Sequence, residues 1–148
     1  MQLNLKTDYS LRLLLFLALH PEELVPVSRV AGAYCISVHH LSKVAQGLAE
    51  AGFVELVRGR GGGMRLAVDP AKVQIATVIR AVEGSFALVE CFNAKGNTCS
   101  ISPVCALKRM LAEAQAAFFS VLERYTLADV VRDPKALRSL LARSGASE

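Results

Sequence analysis

The sequence of 148 residues lacks an apolar run long enough to cross a membrane as a helix. Its densest run, from Leu13 to Leu19, is far shorter than the roughly 20 residues that a span needs. Charged residues at Lys6, Asp8 and Arg12 interrupt the first positions, and no small-residue cleavage site follows, so we expect no secretory signal peptide. These absences predict a cytoplasmic protein, in which clustered thiols stay reduced and favour metal or redox chemistry over disulfides.

The sequence also lacks the residue patterns of an enzyme. Its three histidines, His20, His39 and His40, have no carboxylate partner at catalytic spacing. The glycine run Gly59–Gly63 lacks the Lys-Ser/Thr pair of a P-loop, and a strand rather than a helix is predicted after it. We therefore expect the protein not to be an enzyme.

Acidic residues are absent from two segments, Val25–Ala49 and Leu56–Val68. The net charge is only +4, so the distribution of charge is more informative than its sum. If the two segments share one face, that face suits a phosphate backbone, although an ordinary solvated basic surface remains the alternative. The basic residues of the two segments are Arg29, Lys43, Arg58, Arg60 and Arg65.

Two short helices joined by a turn are predicted inside the first segment. Ser28 is placed to cap a helix to about Ala33, and Ser37 to cap a second helix through about Glu50. Two such helices are typical of a helix-turn-helix, whose second helix enters the major groove. Apolar spacing predicts that Val38, Leu41, Val44, Ala45 and Leu48 face inward. The candidates for DNA contact are Ser28, Ser37, His39, His40, Ser42, Lys43 and Gln46.

A two-stranded wing is predicted directly after these helices, with strands Phe53–Val57 and Met64–Val68 around a glycine-rich turn. Glycines let the backbone approach a phosphate closely, and arginines supply charge. A glycine-rich hairpin with incidental arginines is the alternative, but a wing beside a helix-turn-helix favours DNA binding. The wing residues expected to contact DNA are Arg58, Arg60, Gly61 and Gly62.

The remaining pattern is helical. Thr7 or Asp8 is placed to cap a buried first helix to Leu19, and another helix is predicted over Val73–Glu83. Ser102-Pro103 is predicted to start a long helix. Its apolar seam has a period of about 3.5 residues, which favours a dimerisation helix over packing on its own domain. The seam consists of Val104, Leu107, Leu111, Ala114, Phe118, Val121 and Tyr125.

The predicted fold is therefore mainly α with a small β-wing, a winged helix-turn-helix domain plus a long dimerisation helix. We expect residues 1–84 to form the winged domain and 85–103 a cysteine-rich, cluster-binding loop. Residues 104–142 are expected to form the dimerisation helix and short C-terminal helices, and 143–148 a tail.

Three of the four cysteines, Cys91, Cys99 and Cys105, flank a polar, turn-rich stretch. Thiolates select zinc, copper(I) or iron–sulfur clusters. The tight two-to-four-residue knuckle of zinc sites is missing, and the wider gaps suit a larger iron–sulfur cluster. Zinc and plain redox or core thiols stay open as alternatives. Cys35 lies in the predicted turn of the helix-turn-helix, where we expect a buried small side chain.

Several motifs along the chain resemble those of the Rrf-type winged-helix repressors and, within them, the subfamily that senses nitric oxide. The wing Val57-Arg58-Gly59-Arg60-Gly61-Gly62-Gly63 is typical of the wider family, and the three cysteines of the subfamily. Further shared stretches are Met1-Gln2-Leu3, Thr7-Asp8-Tyr9-Ser10-Leu11-Arg12, His39-His40-Leu41-Ser42-Lys43-Val44, Cys105-Ala106-Leu107-Lys108 and Tyr125-Thr126-Leu127-Ala128-Asp129-Val130-Val131.

This resemblance implies a homodimeric repressor that binds double-stranded operator DNA and carries one iron–sulfur cluster per subunit, 4Fe–4S or alternatively 2Fe–2S. Three thiolates from the loop would be ligands, and Asp8 from the partner subunit falls on the fourth ligand position. Nitrosylation of the cluster by nitric oxide would release the operator. For Asp8 the alternative is a carboxylate that only stabilises a helix N-terminus.

Two other functions stay open. One is an Rrf-type regulator that senses iron or redox state through a labile 2Fe–2S cluster, and the other is a structural zinc or thiol module. A related regulator of iron–sulfur assembly uses a histidine three residues after the last cysteine. Lys108 stands there in this chain, so that ligand set does not carry over.

Overall fold

A computed structural model of the chain describes residues 3–93 and 95–144. The described residues form seven α-helices and one antiparallel sheet of two strands, which confirms the predicted fold class. Met1 and Gln2 of the opening motif and residues 145–148 of the expected tail lie outside them. The elements are α1 (Leu5–Leu19), α2 (Val27–Tyr34), α3 (Val38–Glu50), β1 (Val54–Val57), β2 (Gly63–Leu66), α4 (Ile75–Glu83), α5 (Ala106–Leu122), α6 (Leu127–Val130) and α7 (Pro134–Ser144).

Helix α1 is the centre of the fold, as its apolar sequence predicts, and Leu13, Leu14 and Leu17 are buried. The prediction that Thr7 or Asp8 caps it was wrong, because Asn4 is the N-cap and accepts from the backbone N–H of Thr7 at 2.8 Å. A contact distant in sequence fixes this start. The carboxylate of Glu83, at the end of α4, accepts from the backbone N–H of Asn4 at 3.1 Å and from the buried Thr7 hydroxyl.

Helices α2 and α3 form the predicted helix-turn-helix, with corrections at three places. Helix α2 begins after Pro26, so Ser28 lies exposed inside its first turn and does not cap it. Val38 is 46% exposed because it is the first residue of α3, outside the stripe that packs inward. Cys35 is exposed rather than buried. It ends α2 in a left-handed conformation (φ 52°), which turns the next side chain, Ile36, into the core.

The wing is a hairpin in which Val54 pairs with Leu66 and Val57 with Gly63. Both strands are shorter than the sequence predicts. An isolated bridge between Val25 and Met64 ties the base of the wing to the segment before α2. A side chain at Gly63 would lie 2.8 Å from the Val25 carbonyl oxygen, so this close approach requires glycine.

Two predicted helix starts were wrong because a 3-10 turn precedes each helix. Asp69 caps a single 3-10 turn at Pro70–Lys72, after which Val73 is extended, so α4 begins only at Ile75. Ser102–Val104 likewise form a separate 3-10 turn, and α5 begins at Ala106 with Cys105 as its N-cap.

The C-terminal elements pack back onto the winged region. The C-terminal half of α5 lies on α4, where the ring of Phe119 packs edge-on against Phe86 at 4.7 Å. The backbone N–H of Leu127 in α6 donates to the carbonyl of Val73 at 2.8 Å. Helix α7 lies on α2, and the guanidinium of Arg138 donates to the Leu19 carbonyl, which caps the C-terminal end of α1. No helix in the described ranges is long and apolar enough to span a membrane.

Candidate DNA-binding face and cysteine loop

The basic residues of the helix-turn-helix and wing differ in whether a carboxylate neutralises them. Arg29 pairs with Glu23 at 2.5 Å, and Arg65 pairs across the hairpin with Glu55 at 2.8 Å. This hydrogen bond and the arginine charge hold the pKa of Glu55 below its usual value. Within residues 3–93 and 95–144 no ion pair includes Lys6, Lys43, Arg58 or Arg60.

Helix α3 presents the predicted contact residues along two sides. On the side of the wing, Ser42 and Gln46 line a groove of about 320 Å³ whose other wall includes Val57 and Gly62. The hydroxyl of Ser42 donates to the carbonyl of Val38 at 2.8 Å, so only its acceptor capacity remains, which suits a donor group on a base and not a phosphate. Between α3 and the wing the fold therefore offers polar groups at a concave edge.

The other side of α3 faces the start of α1. Here His40 and Lys43 line a hollow of about 340 Å³ together with Lys6 and Tyr9 of α1. His39 lies exposed in the first turn of α3, its ring 6.1 Å from that of His40. Ser37 is the N-cap residue of α3, but its side chain makes no cap hydrogen bond and is exposed.

Sequence reasoning missed Lys6. Its side chain crosses α3 at Gly47, where the methyl group of an alanine would sit 3.6 Å from the Lys6 Cε atom. A glycine inside a helical pattern is a signal for such a close approach, because it costs helix stability without a local benefit. That signal was present at Gly47, but nothing in the sequence says which segment approaches it.

The wing tip is exposed at Arg58 and Arg60, the residues predicted to contact DNA. Gly61 is exposed and Gly62 half-buried between them and β2. A side chain at Gly62 would lie 2.2 Å from the carbonyl oxygen of Val57, so the turn closes only with glycine at this position. The glycines thus fix the turn that holds the two arginines outward.

All four cysteines are free thiols. Cys91 lies half-buried in a 3-10 turn, Cys99 is exposed, and Cys105 is half-buried at the N-cap of α5. The Cys105 Sγ atom accepts from the backbone N–H of Lys108 at 3.4 Å. The sulfur atom of Cys105 therefore lies at the positive end of the α5 helix dipole.

The carboxylate of Glu90 connects the two sides of the segment between Cys91 and Cys99. Glu90 Oε1 accepts from the backbone N–H of Thr98 at 2.5 Å and from its hydroxyl at 2.8 Å. These hydrogen bonds hold the pKa of Glu90 below its usual value. Glu90 precedes Cys91 and Thr98 precedes Cys99, so the same contact brings the backbones of these two cysteines towards each other.

Lys108 lies between the parts of the loop. It lines a hollow of about 740 Å³ with Cys91 and a second hollow with Cys105, and its ammonium donates to the Ser102 hydroxyl at 3.2 Å. Within the described ranges of a single chain, no three His, Cys, Asp or Glu side chains converge closely enough to hold a metal ion. The donor chemistry of the three thiols fits a soft metal centre.

Asp8 lies in the first turns of α1, half-buried, and its carboxylate pairs with Arg12 at 2.7 Å. The Arg12 guanidinium also lies 5.8 Å from the centre of the Tyr34 ring. Burial raises the pKa of Tyr34 to about 12, so its phenol stays neutral at physiological pH. Arg12 therefore connects the predicted fourth ligand to the last residue of α2, directly before the turn of the helix-turn-helix.

Much of the predicted apolar seam is uncovered in the single chain. Val104 in the turn before α5 is 84% exposed, Leu107 and Val121 of α5 and Tyr125 after it are also exposed, and so is Met110 beside the seam. The C-terminal half of α5 is anchored against α4 by Phe118, Phe119 and Leu122. Apolar surface of this extent along one helix is typical of an interface.

Comparison with known proteins matches nearly the whole chain. The family model described as "Rrf2: Iron-dependent Transcriptional regulator" matches residues 3–133. The HTH-type transcriptional regulator NsrR of Geobacillus kaustophilus is 51% identical over 142 residues, covering 95% of this chain and 97% of that protein. The regulator of the same name from Bacillus subtilis is 49% identical with the same coverage. The solved structure of T. potens IscR gives a TM-score of 0.74 at 26% identity, over 93% of this chain and 91% of that chain.

These matches include both the DNA-binding face and the cysteine loop. They confirm the resemblance inferred from the motifs, and they confirm that the protein is not an enzyme, since the matched proteins are regulators of transcription. The winged helix-turn-helix of the structure is a fold that binds DNA. The chain belongs to the Rrf2 family of DNA-binding transcriptional regulators.

Proposed function

We propose that the protein is a homodimeric repressor that releases its operator in response to nitric oxide, with an iron–sulfur cluster in each subunit. Its ligands would be Cys91, Cys99 and Cys105 of one subunit and Asp8 of the partner subunit. The observation that carries the proposal is a loop with three free thiols, all accessible or half-buried, attached to a DNA-binding fold. The regulators named NsrR that are about half identical to this chain support it.

The chemistry of the donors supports a cluster with one exchangeable position. Thiolates bind soft iron centres well, whereas a carboxylate is a harder and weaker ligand for them. When bound, a cluster with one carboxylate ligand supplies an iron at which a small molecule such as nitric oxide can compete. The 4Fe–4S form agrees best with the wide spacing of the cysteines, and 2Fe–2S is the alternative.

The dimer is proposed from the uncovered face of α5. A second copy of the chain would bury Val104, Leu107 and Met110, which water surrounds in the single chain. Burying them is favourable by about 25 cal/mol for each Å² removed from water. Two subunits joined in this way would present two α3 helices to successive faces of the major groove. As a DNA-binding regulator, the protein would work in the cytoplasm.

The contacts of Asp8 suggest how the loop of one subunit influences DNA binding by the other. In the single chain the Asp8 carboxylate holds Arg12, which lies against Tyr34 at the end of α2. If the Asp8 carboxylate binds the loop of the partner subunit, its negative charge is shared between that loop and Arg12. When the carboxylate is released from the loop, it interacts with Arg12 alone. Because α3 packs on α1, and Tyr34 of α2 contacts Phe16 and Arg12 of α1, a shift of this turn would change the placement of the helix-turn-helix. Only a difference in binding free energy between the two arrangements can shift the equilibrium.

The proposal is tested on protein purified without oxygen. Iron and sulfide content, ultraviolet–visible absorption and Mössbauer spectra establish the cluster, and anisotropy of a labelled operator duplex reports binding before and after nitric oxide. We expect tight binding that nitric oxide abolishes in the wild type and in the Cys35→Ser control. Cys99→Ser should bind weakly and should not respond. Equal affinity of the loaded wild type with and without nitric oxide would contradict the sensing function.

The description of the matching family as iron-dependent favours one second function, a regulator that senses iron or redox state through a labile 2Fe–2S cluster. The same preparation distinguishes the two. A 2Fe–2S spectrum together with operator release by an iron chelator, and no release by nitric oxide, would favour this second function. Zinc without sulfide would instead indicate a structural metal site.

A further inference from the structure

The first turn of α1 lies beside the recognition helix α3 and brings one cation to it. The Lys6 side chain extends across Gly47, with its Nζ atom 3.7 Å from the position that a Cβ atom would take there. On the same side of α3, Lys43 and His40 line the hollow that Lys6 also lines. Gly47 lies one turn after Lys43 along α3, so these groups form a row along one flank of the helix.

The Lys6 ammonium is available to a partner. Lys6 is exposed, and in the described part of the chain no carboxylate pairs with it. The N-terminal end of α1 already binds a carboxylate, since Glu83 accepts hydrogen bonds from the backbone N–H of Asn4 and the hydroxyl of Thr7. An anion at this place would therefore be bound by the Lys6 side chain and not by the helix terminus.

The position along α3 decides what Lys6 can reach. Base edges are contacted mainly by residues of the N-terminal part of a recognition helix. Lys6 lies at Gly47, in the C-terminal half of α3 and to one side of it. A lysine is a flexible point charge rather than a planar fork, which suits a phosphate better than the edge of a guanine.

We propose that the DNA interface extends beyond the helix-turn-helix and wing to α1, and that Lys6 contacts a backbone phosphate beside the groove that α3 occupies. Lys43 contacts the phosphate strand on the same flank, while the wing tip with Arg58 and Arg60 contacts DNA on the other side of α3. The recognition helix is thus held at both flanks, and Lys6 adds affinity without adding sequence preference.

The test is the salt dependence of binding. The probe is a short duplex selected from a random-sequence pool with the wild-type protein, and every variant is purified without oxygen in the same way as the wild type. Each phosphate neutralised contributes about 0.9 to the slope of log affinity against log salt. For Lys6→Gln we expect the slope to fall by about 0.9 for each bound subunit. The ratio of wild-type to variant affinity should therefore fall by about 3.5-fold for each bound subunit between 50 and 200 mM salt.

Two variants keep the result interpretable. Lys6→Arg retains the charge and should restore the wild-type slope. Lys72→Gln removes another exposed lysine, from a 3-10 turn that packs on α6, and should leave the slope unchanged. Thermal unfolding of Lys6→Gln checks that the fold is intact. A wild-type slope for folded Lys6→Gln would overturn the proposal, and so would an equal loss with Lys72→Gln. Because this test needs no nitric oxide, its outcome is independent of the proposed sensing function.

Discussion

Replacing Glu83 by alanine should destabilise the protein more than its half-exposed position suggests. Glu83 accepts hydrogen bonds from two groups at the start of α1, and Thr7, whose hydroxyl is one of these groups, is 0% exposed. Leaving a buried hydroxyl without a partner costs about 1–3 kcal/mol. Losing a carboxylate at a helix N-terminus costs a further 0.3–1 kcal/mol, roughly. We therefore expect Glu83→Ala to lower the free energy of unfolding by about 2–3 kcal/mol.

The glutamine variant separates the two contributions. Glu83→Gln keeps one acceptor oxygen for the Thr7 hydroxyl but removes the charge and the second acceptor oxygen, so we expect a smaller loss than for alanine, about 1 kcal/mol. Urea unfolding of cluster-free protein at one fixed concentration measures both, since the stability of a dimer depends on concentration. Glu22→Ala, at an exposed turn position, is the control. If Glu83→Ala unfolds within about 0.5 kcal/mol of the wild type, the assigned role of Glu83 is wrong.

Three further changes test other parts of the structure. Gly47→Ala should raise the free energy of unfolding by up to about 1 kcal/mol, because the added methyl group meets only the end of Lys6 and alanine favours the helix; a lower melting temperature would refute this. Gly62→Ala should weaken binding of a DNA duplex while melting of the α-helical core changes little, because a Cβ atom there would lie 2.2 Å from the Val57 carbonyl oxygen; wild-type affinity would show that the wing turn is unimportant. Hydrogen bonds from Thr126 and Arg132 hold the pKa of Asp129 below its usual value of 3.8. The ionised Asp129 therefore stabilises the folded state above pH 3.8, and this contribution is lost as the pH falls through the lower pKa of the folded state. The stability difference between wild type and Asp129→Asn should therefore shrink in acid, and a constant difference from pH 7 to strongly acidic pH would contradict it.

Local patterns were sufficient to predict the helix-turn-helix and wing. The serine before α3, the apolar stripe of Leu41, Val44 and Leu48, and the glycine-rich turn are all short-range signals. The starts of α1 and α4 could not be predicted in the same way. Glu83 fixes the first from 79 positions away, and the extended Val73 pairs with Leu127 before the second.

The functional residues, too, could be predicted only where the signal is local in the sequence. The cysteine loop could be recognised from residue types, because thiol chemistry depends on the side chains present. Its arrangement depends on the contact between Glu90 and Thr98 and on Lys108, which no periodicity indicates. Cys35 was expected in the core, yet the left-handed end of α2 places Ile36 there instead. Lys6 was missed because its role depends on packing against Gly47.

The central claim is that the cysteine loop of one subunit and Asp8 of the partner subunit form one site. Mixed dimers made from Asp8→Ala and Cys99→Ser chains test it most directly. If the site spans two subunits, a mixed dimer retains one complete site, formed by the intact loop of the first chain and Asp8 of the second. We predict that iron and sulfide content after a chelator challenge reaches about half of the wild-type value, while either parent variant retains little. A mixed dimer that retains no more than its parents would contradict the account.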